Sequence, residues 1–366
     1  MKRALKGFAG TTLVAALAYL FFWPVPVDPV GWDAPSDPGY TGPFAENHRL
    51  AVQRLALKGR GGPECAVAGP AGELYVSSES GEVLLVSSAG VQPYAKTGGR
   101  PLGLALDDEL NLYIADAYKG LLKVDRRDRI LTEVVTAVDG ERLGYVDDVA
   151  VSPDGAVWFS DASRKFGAQA WGGTYPASLL DLMEHGGHGR LLRYDPFNGK
   201  TSVILDGLQF ANGVAADPQG DFVLVAETGA YRVQKYHLKG PKAGQAEPLL
   251  GPLPCFPDNL AAGADGRFWV GCISPRSKAL DALAGWPFLR KLVQRLPEAV
   301  RPKAQRRGHV IAFDREGRIL HDLQDPSGRY AFATGAVEAD GWLYVTSLKM
   351  PTLGRMPLAE ALKERL

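Results

Sequence analysis

The chain has 366 residues with 41 basic and 41 acidic side chains, so its charge makes no case for nucleic acid as a partner. Hydrophobic residues make up 46%, and 43 Gly and 26 Pro suit a turn-rich β fold better than a helical one. Length alone excludes neither two domains nor one large β domain.

The N-terminus carries Lys2, Arg3 and Lys6, then an uncharged, mostly apolar run from Gly7 to Trp23. Basic residues beside such a run hold that end in the cytoplasm. Residues 1–23 are therefore expected to be a signal anchor, with the remainder extracytoplasmic (periplasmic, luminal or extracellular). The run is close to the shortest that spans a bilayer. Ala16-Leu17-Ala18 offers a cleavage site for a signal peptide instead, at the cost of leaving "YLFFW" as an exposed apolar end. Residues 24–47 are proline-rich and read as an extended tether. Residues 48–366 form the folded body.

Within that body one short pattern recurs: "GELYVSS" at Leu74, "LNLYIAD" at Leu112, "GAVWFSD" at Val157, "DFVLVAE" at Phe222, "GRFWVGC" at Phe268 and "GWLYVTS" at Leu343. Six such units, each flanked by further strand-like runs, predict an all-β six-bladed β-propeller. A β-sandwich, the rival, lacks this internal recurrence. Closing the ring needs a strand from the start of the body in the last blade, and "HRLAVQRLAL", His48 to Leu57, is the expected donor.

The repeats align a set of polar residues. Thirteen residues before the last small residue of the repeated strand stand Glu64 (from Ser77), Asp147 (from Ser160) and Asp258 (from Gly271); Asn212 stands fourteen before Ala226. The local sequences agree: "GPECAV", "VDDVAV", "ANGVAA" and "PDNLAA". Each residue taken singly reads equally as a turn or strand-start residue. Together they lead into four innermost strands, which converge on the channel of a propeller. Three carboxylates and a carboxamide gathered there need neutralising. An oxygen-only donor set favours a hard divalent cation such as calcium, with Asp148 and Asn259 as added ligands or support. The remaining two blades place Leu102 and Ala333-Thr334 at this level, an uncharged wall for substrate.

Two connections between second and third strands are long: Asp161–Arg190 and Ser274–Gly308. Both are expected on the metal side as lids. The second carries nine Lys or Arg against two acidic residues. It includes an amphipathic helical pattern begun by Pro287, with Leu289, Leu292, Val293 and Leu296 on one face and Arg290, Lys291 and Arg295 on the other. That helix is expected to pack on the propeller, cover the pocket or lie on a membrane surface, with Trp286 at its start. His185 and His188 stand where the first lid rejoins its blade; either is placed to face substrate or act as a base. Cys65, Cys255 and Cys272 allow one disulfide, whose pairing the sequence does not reveal, and leave one thiol free.

"GRPLGLAL", "LYIADAYKGLLKVD", "GRLLRYDP", "FANGVAADPQGDFVLVAET" and "FPDNLAAGADGRFWVGC" resemble the strictosidine synthase-like family, nearest the adipocyte plasma membrane-associated branch. The resemblance spans about residues 60 to 350. It implies a six-bladed propeller related to paraoxonases and gluconolactonases, with calcium held by Glu64, Asp147, Asn212, Asp258 and Asn259. Asp147 stands where the family commonly has Asn. Thr334 stands where the plant synthases have the glutamate that condenses an amine with an aldehyde. The expected activity is thus calcium-dependent hydrolysis of esters or lactones at a membrane, with Asp258 or His188 activating water and Leu102, Thr334, His185 and Trp286 contacting substrate. The alternatives are the condensation reaction and a non-catalytic receptor or scaffold propeller.

Overall fold

The structure is a computed structural model that describes Thr12, Val14, Ala15 and residues 17–364. Six four-stranded antiparallel sheets are arranged in sequence order. Their innermost strands are Ala66–Ala68, Pro101–Leu106, Val146–Val151, Ala211–Ala216, Cys255–Ala262 and Ala333–Ala339. Each of these touches the next, and the sixth returns to the first, so the ring is closed. This is the six-bladed propeller that the repeats predict.

Closure uses the expected segment. Gln53–Ala56 pairs antiparallel with the third strand of the last blade, Gln53 opposite Arg355 and Ala56 opposite Thr352. Leu57 then packs with Leu74, Val76 and Leu353, joining the sixth blade to the first. The core is a series of such layers between neighbouring blades, because each twisted sheet buries both faces against its neighbours. Phe268 and Phe313 of the fifth blade, for example, lie against Phe222, Leu224 and Ala226 of the fourth.

Five innermost strands share an irregularity absent from the sequence pattern. The ladder shifts between Pro101 and Leu104, Val146 and Val149, Ala211 and Val214, Cys255 and Leu260, and Ala333 and Ala336. A bulge bends its strand and re-aims side chains. Here it turns one residue toward each end of the channel. In the third blade the freed N–H of Asp148 donates to the Ser160 hydroxyl at 3.0 Å. Ser77 does the same for the Cys65 N–H in the first blade.

The two long connections carry helices: α1, Thr174–Glu184, in the first; α2, Lys278–Ala282, and α3, Pro287–Arg295, in the second. Gly172 and Gly173, both at positive φ, turn the chain into α1, and His185 in a left-handed conformation ends it. Proline-rich residues 24–32, expected as a free tether, are extended but docked between α1 and α3. Val25 and Val27 join a cluster with Ala177, Leu180 and Val293, and Val27 is fully buried.

The expected apolar face of α3 is half-buried, with Val293 packed in the same cluster, but its basic face is not free in solvent. Arg290 and Arg295 are 1% and 8% exposed, whereas Trp286 and Phe288 are 63% and 51% exposed. The cause is a shortage of backbone donors. Proline has no N–H, and the last carbonyls of α1 have no helical partner. Arg290 donates to Val30 O, Ala284 O and, at 3.0 Å, Met183 O. Arg295 donates to Trp23 O at 2.6 Å and Leu20 O at 3.1 Å. Lys291 pairs with Asp28 at 2.8 Å. The basic start of the chain and much of the apolar run lie outside the described residues. Among the described residues no helix is long and apolar enough to cross a membrane.

Candidate active site

Glu64, Asp147, Asn212 and Asp258 all line one cavity of about 660 Å³ at the end of the channel where the innermost strands begin. Each is nearly buried, at 4–6% exposure. Leu102 joins them on the wall. The second residue of each polar pair points the other way. Asp148 and Asn259 line a narrower space of about 210 Å³ toward the opposite end of the channel, as the bulges dictate. Asp148 there accepts from Val149 N at 2.9 Å and Val214 N at 2.8 Å, tying the third blade to the fourth. Asn259 donates to Glu64 O at 2.9 Å, and Thr334 donates to the same carbonyl at 2.6 Å. These two residues position Glu64 from beneath.

The electrostatics follow from burial. Asp147 and Asp258 are held well above the usual carboxylate range by burial and then by the Glu64 charge. Glu64 is raised by burial, with Arg100 opposing. Asp148 is pushed up to about 7, chiefly by burial. Asn212 opposes the rise at Asp258. Glu64 Oε2 and Asn212 Oδ1 have no hydrogen-bond partner, although buried oxygens of this kind are nearly always satisfied. The three carboxylates do not close to within 4.8 Å of one another; among the described residues that spacing is met only by Cys255, Cys272 and His309. Cys255 and Cys272 are joined as a disulfide between the first two strands of the fifth blade, and Cys65 is free. The oxygen-only donor set and the unpartnered oxygens of Glu64 and Asn212 match the chemistry of a hard divalent cation.

Two features escaped the sequence reading. Arg100, 6% exposed, stands 3.7 Å from Glu64 Oε2, so one positive charge is already built in beside the carboxylates. The second is a ring of aromatic residues two positions before the polar ones: Tyr145, Phe210 and Phe256 line the cavity. Phe210 holds positive φ, and its ring meets Tyr145 edge-on at 5.3 Å. The spacing was legible: an aromatic stands two residues ahead of Asp147, Asn212, Asp258 and Thr334 alike. Tyr145 donates to Thr174 O at 2.8 Å, tying the floor to α1.

Comparisons with known proteins agree with this architecture. Residues 147–241 match the model of the family described as strictosidine synthase, and residues 42–86 that described as strictosidine synthase-like, N-terminal. The chain is 32% identical to adipocyte plasma membrane-associated protein of Rattus norvegicus, over 91% of this chain and 93% of that one. The chain belongs to the strictosidine synthase-like family. Among solved structures, a gluconolactonase from Xanthomonas campestris superposes with TM-score 0.61 at 19% identity, covering 90% of this chain and 99% of that one. A regucalcin from Agrobacterium tumefaciens, described as a calcium-binding protein, gives 0.57 at 14%, covering 83% and 93%. At these identities the likeness is one of fold.

In this strictosidine synthase-like chain, four expected site residues besides Asn259 lie away from the cavity. His188 is bound to Glu184 at 2.7 Å, and Glu184 also holds Lys165. His185 is stacked on Trp32 at 3.8 Å and lowered to about 3 by burial and by Arg290 and Arg232, so it is neutral. Trp286 faces solvent on α3. Thr334 spends its hydroxyl on Glu64 O and Thr346. These histidines brace the first long connection, a role the sequence pattern alone does not separate from contact with substrate.

Close packing at the axis sets the floor. A Cβ on Gly213 would meet Asp258 O and Leu260 N at 2.4 Å, and one on Gly103 would meet Asp148 Oδ1 at 2.2 Å. Gly213→Ala must push the fifth innermost strand outward, at about 2 kcal/mol. The expected result is a lower denaturation midpoint and weaker cation binding together; an unchanged midpoint by urea titration would show that the strands have room to spare.

Proposed function

We propose that the cavity is the active site of a divalent-cation-dependent hydrolase of esters or lactones. The observation that carries this is the gathering of Glu64, Asp147, Asn212 and Asp258 on one buried floor, with oxygens that no protein donor satisfies. Those four residues would hold the ion, and calcium suits their oxygen-only set. A cation bound there supplies Lewis acidity to polarise a carbonyl.

The chain's own groups do the remainder. Asp258, a carboxylate on the cavity floor, takes the proton of the attacking water. Asn212 lines the same floor and favours the charged form of Asp258. Leu102, Phe210 and Phe256 seat the apolar part of the substrate and exclude bulk water. The helices of the two long connections act as lids: α1 contributes Leu179 and Met183 to the wall, and the second connection contributes Ser274 and Leu280. The condensation reaction of the plant synthases is disfavoured, since Thr334 is not a carboxylate and its hydroxyl is engaged.

For location, we read the protein as anchored by its N-terminal segment with the propeller outside the cytoplasm. Tyr19, Phe21, Phe22 and Trp23 are exposed, and Phe21 touches Phe288 of α3 at 5.9 Å. Together with Trp286 they form an apolar surface suited to a bilayer interface. The activity is tested on purified protein with phenyl acetate and a panel of simple lactones, in calcium and in EDTA. Calcium-dependent turnover is expected. Equal turnover in both, or none on any substrate in calcium, would overturn the hydrolase reading.

A further inference from the structure

The cavity changes character from floor to mouth. Its floor is acidic and buried, and its wall is apolar through Leu102, Phe210 and Phe256. Its mouth is basic, lined by Arg301, Lys303 and Lys349. These cations are poorly matched by acid. Glu298, also at the mouth, is 3.8 Å from Lys303 and 86% exposed in its side chain, so it screens little. Arg301 spends Nε on Leu296 O at 2.7 Å. Lys349 has no ion pair among the described residues. Its ammonium lies instead 3.6 Å from the centre of the Tyr175 ring and 5.4 Å from that of Phe332.

From this arrangement we propose that the mouth is an anion subsite and that the substrate is an amphiphile. It would have an apolar body in the cavity and a carboxylate or phosphate held by Lys303, Lys349 and Arg301. This rests on the reading of the cavity as a substrate site and adds the class of substrate. Orientation is set at the mouth, where the basic side chains attract an anionic head. Lys349 is lowered by burial and by the Lys303 charge, with Glu79 opposing, so the two ammonium groups repel each other in the free protein. A bound anion relieves that repulsion. An aromatic box beneath an ammonium fixes where the head must sit. The cavity, about 660 Å³, is of the size that encloses ligands with a body of a dozen or more heavy atoms.

The test is binding of dodecanoate and dodecanol by calorimetry at pH 8 in EDTA, so that no floor cation attracts the carboxylate. Dodecanoate is expected to bind about tenfold more tightly than dodecanol. In the doubly substituted Lys303→Gln, Lys349→Gln protein the preference for dodecanoate should disappear while dodecanol affinity stays within twofold. Equal affinities in the native protein, or a preference that survives both substitutions, would overturn the subsite. Both lysines are solvent-exposed, and an unchanged melting curve checks that the variant folds. A dodecanoate preference without turnover on any ester would refute the hydrolase reading alone. Turnover without the preference would refute the subsite alone.

Discussion

Removing divalent cations should lower the melting temperature by about 5 °C at pH 8 and by much less at pH 5. The sign follows from the carboxylates. Asp147 and Asp258 are raised well above their ordinary values in the folded chain, Glu64 is raised, and Asp148 reaches about 7. Between the ordinary carboxylate range near 4 and about 7, the cation-free folded state keeps protons that the unfolded chain has released. Its stability therefore falls as pH rises through that window, and falls further as Asp147 and Asp258, also raised, release their protons. A cation replaces those protons. At a hundredfold excess over its dissociation constant it stabilises by about 2.7 kcal/mol, and protons displace it at low pH. Thermal melts in calcium and in EDTA at pH 5, 6.5 and 8 check this. A difference independent of pH, or absent at pH 8, would show that the cluster does not exchange protons for an ion. Arg100 tempers the size of the effect, since it already offsets one charge at Glu64.

The fold was legible because a propeller repeats its grammar: each blade restates the same turn and strand, so six weak signals reinforce one another. The same redundancy exposed Glu64, Asp147, Asn212 and Asp258, which the structure gathers in one cavity. Their side-chain directions were not legible. A bulge adds a residue to one strand only, and nothing in "PDN" says that Asp258 faces the cavity while Asn259 reaches Glu64 O. The helix α3 failed for another reason. Periodicity assigns faces on the premise that charge seeks water, whereas Arg290 and Arg295 found carbonyls stranded by proline and by the end of α1. His185 and His188 likewise turned on a partner distant in sequence or hidden by the fold, Trp32 for one and Glu184 for the other. Residue chemistry marks what a side chain is able to do. Only its neighbours decide whether that capacity faces substrate.

Asp258→Asn should reduce kcat/KM for an ester on the order of 10³-fold, equivalent to about 4 kcal/mol of lost transition-state stabilisation. The substitution keeps size and a ligating carbonyl oxygen but removes the proton acceptor. Glu64→Gln should act differently: it takes one charge from a pair already shared with Arg100, 3.7 Å away, so cation affinity falls first and turnover recovers at high calcium. Calorimetric titration of calcium alongside turnover separates the two roles. Turnover lost in Asp258→Asn with calcium still bound assigns the residue to proton transfer, while loss of both restricts it to holding the ion. Turnover within tenfold of the native protein would remove Asp258 from the mechanism. His188→Gln supplies the contrast, because its partner Glu184, the last residue of α1, lies outside the cavity; its turnover should stay within twofold. A large loss there would mean that the long connections move far enough in solution to carry the imidazole to the cavity, and the assignment of base would pass from the floor to the lid.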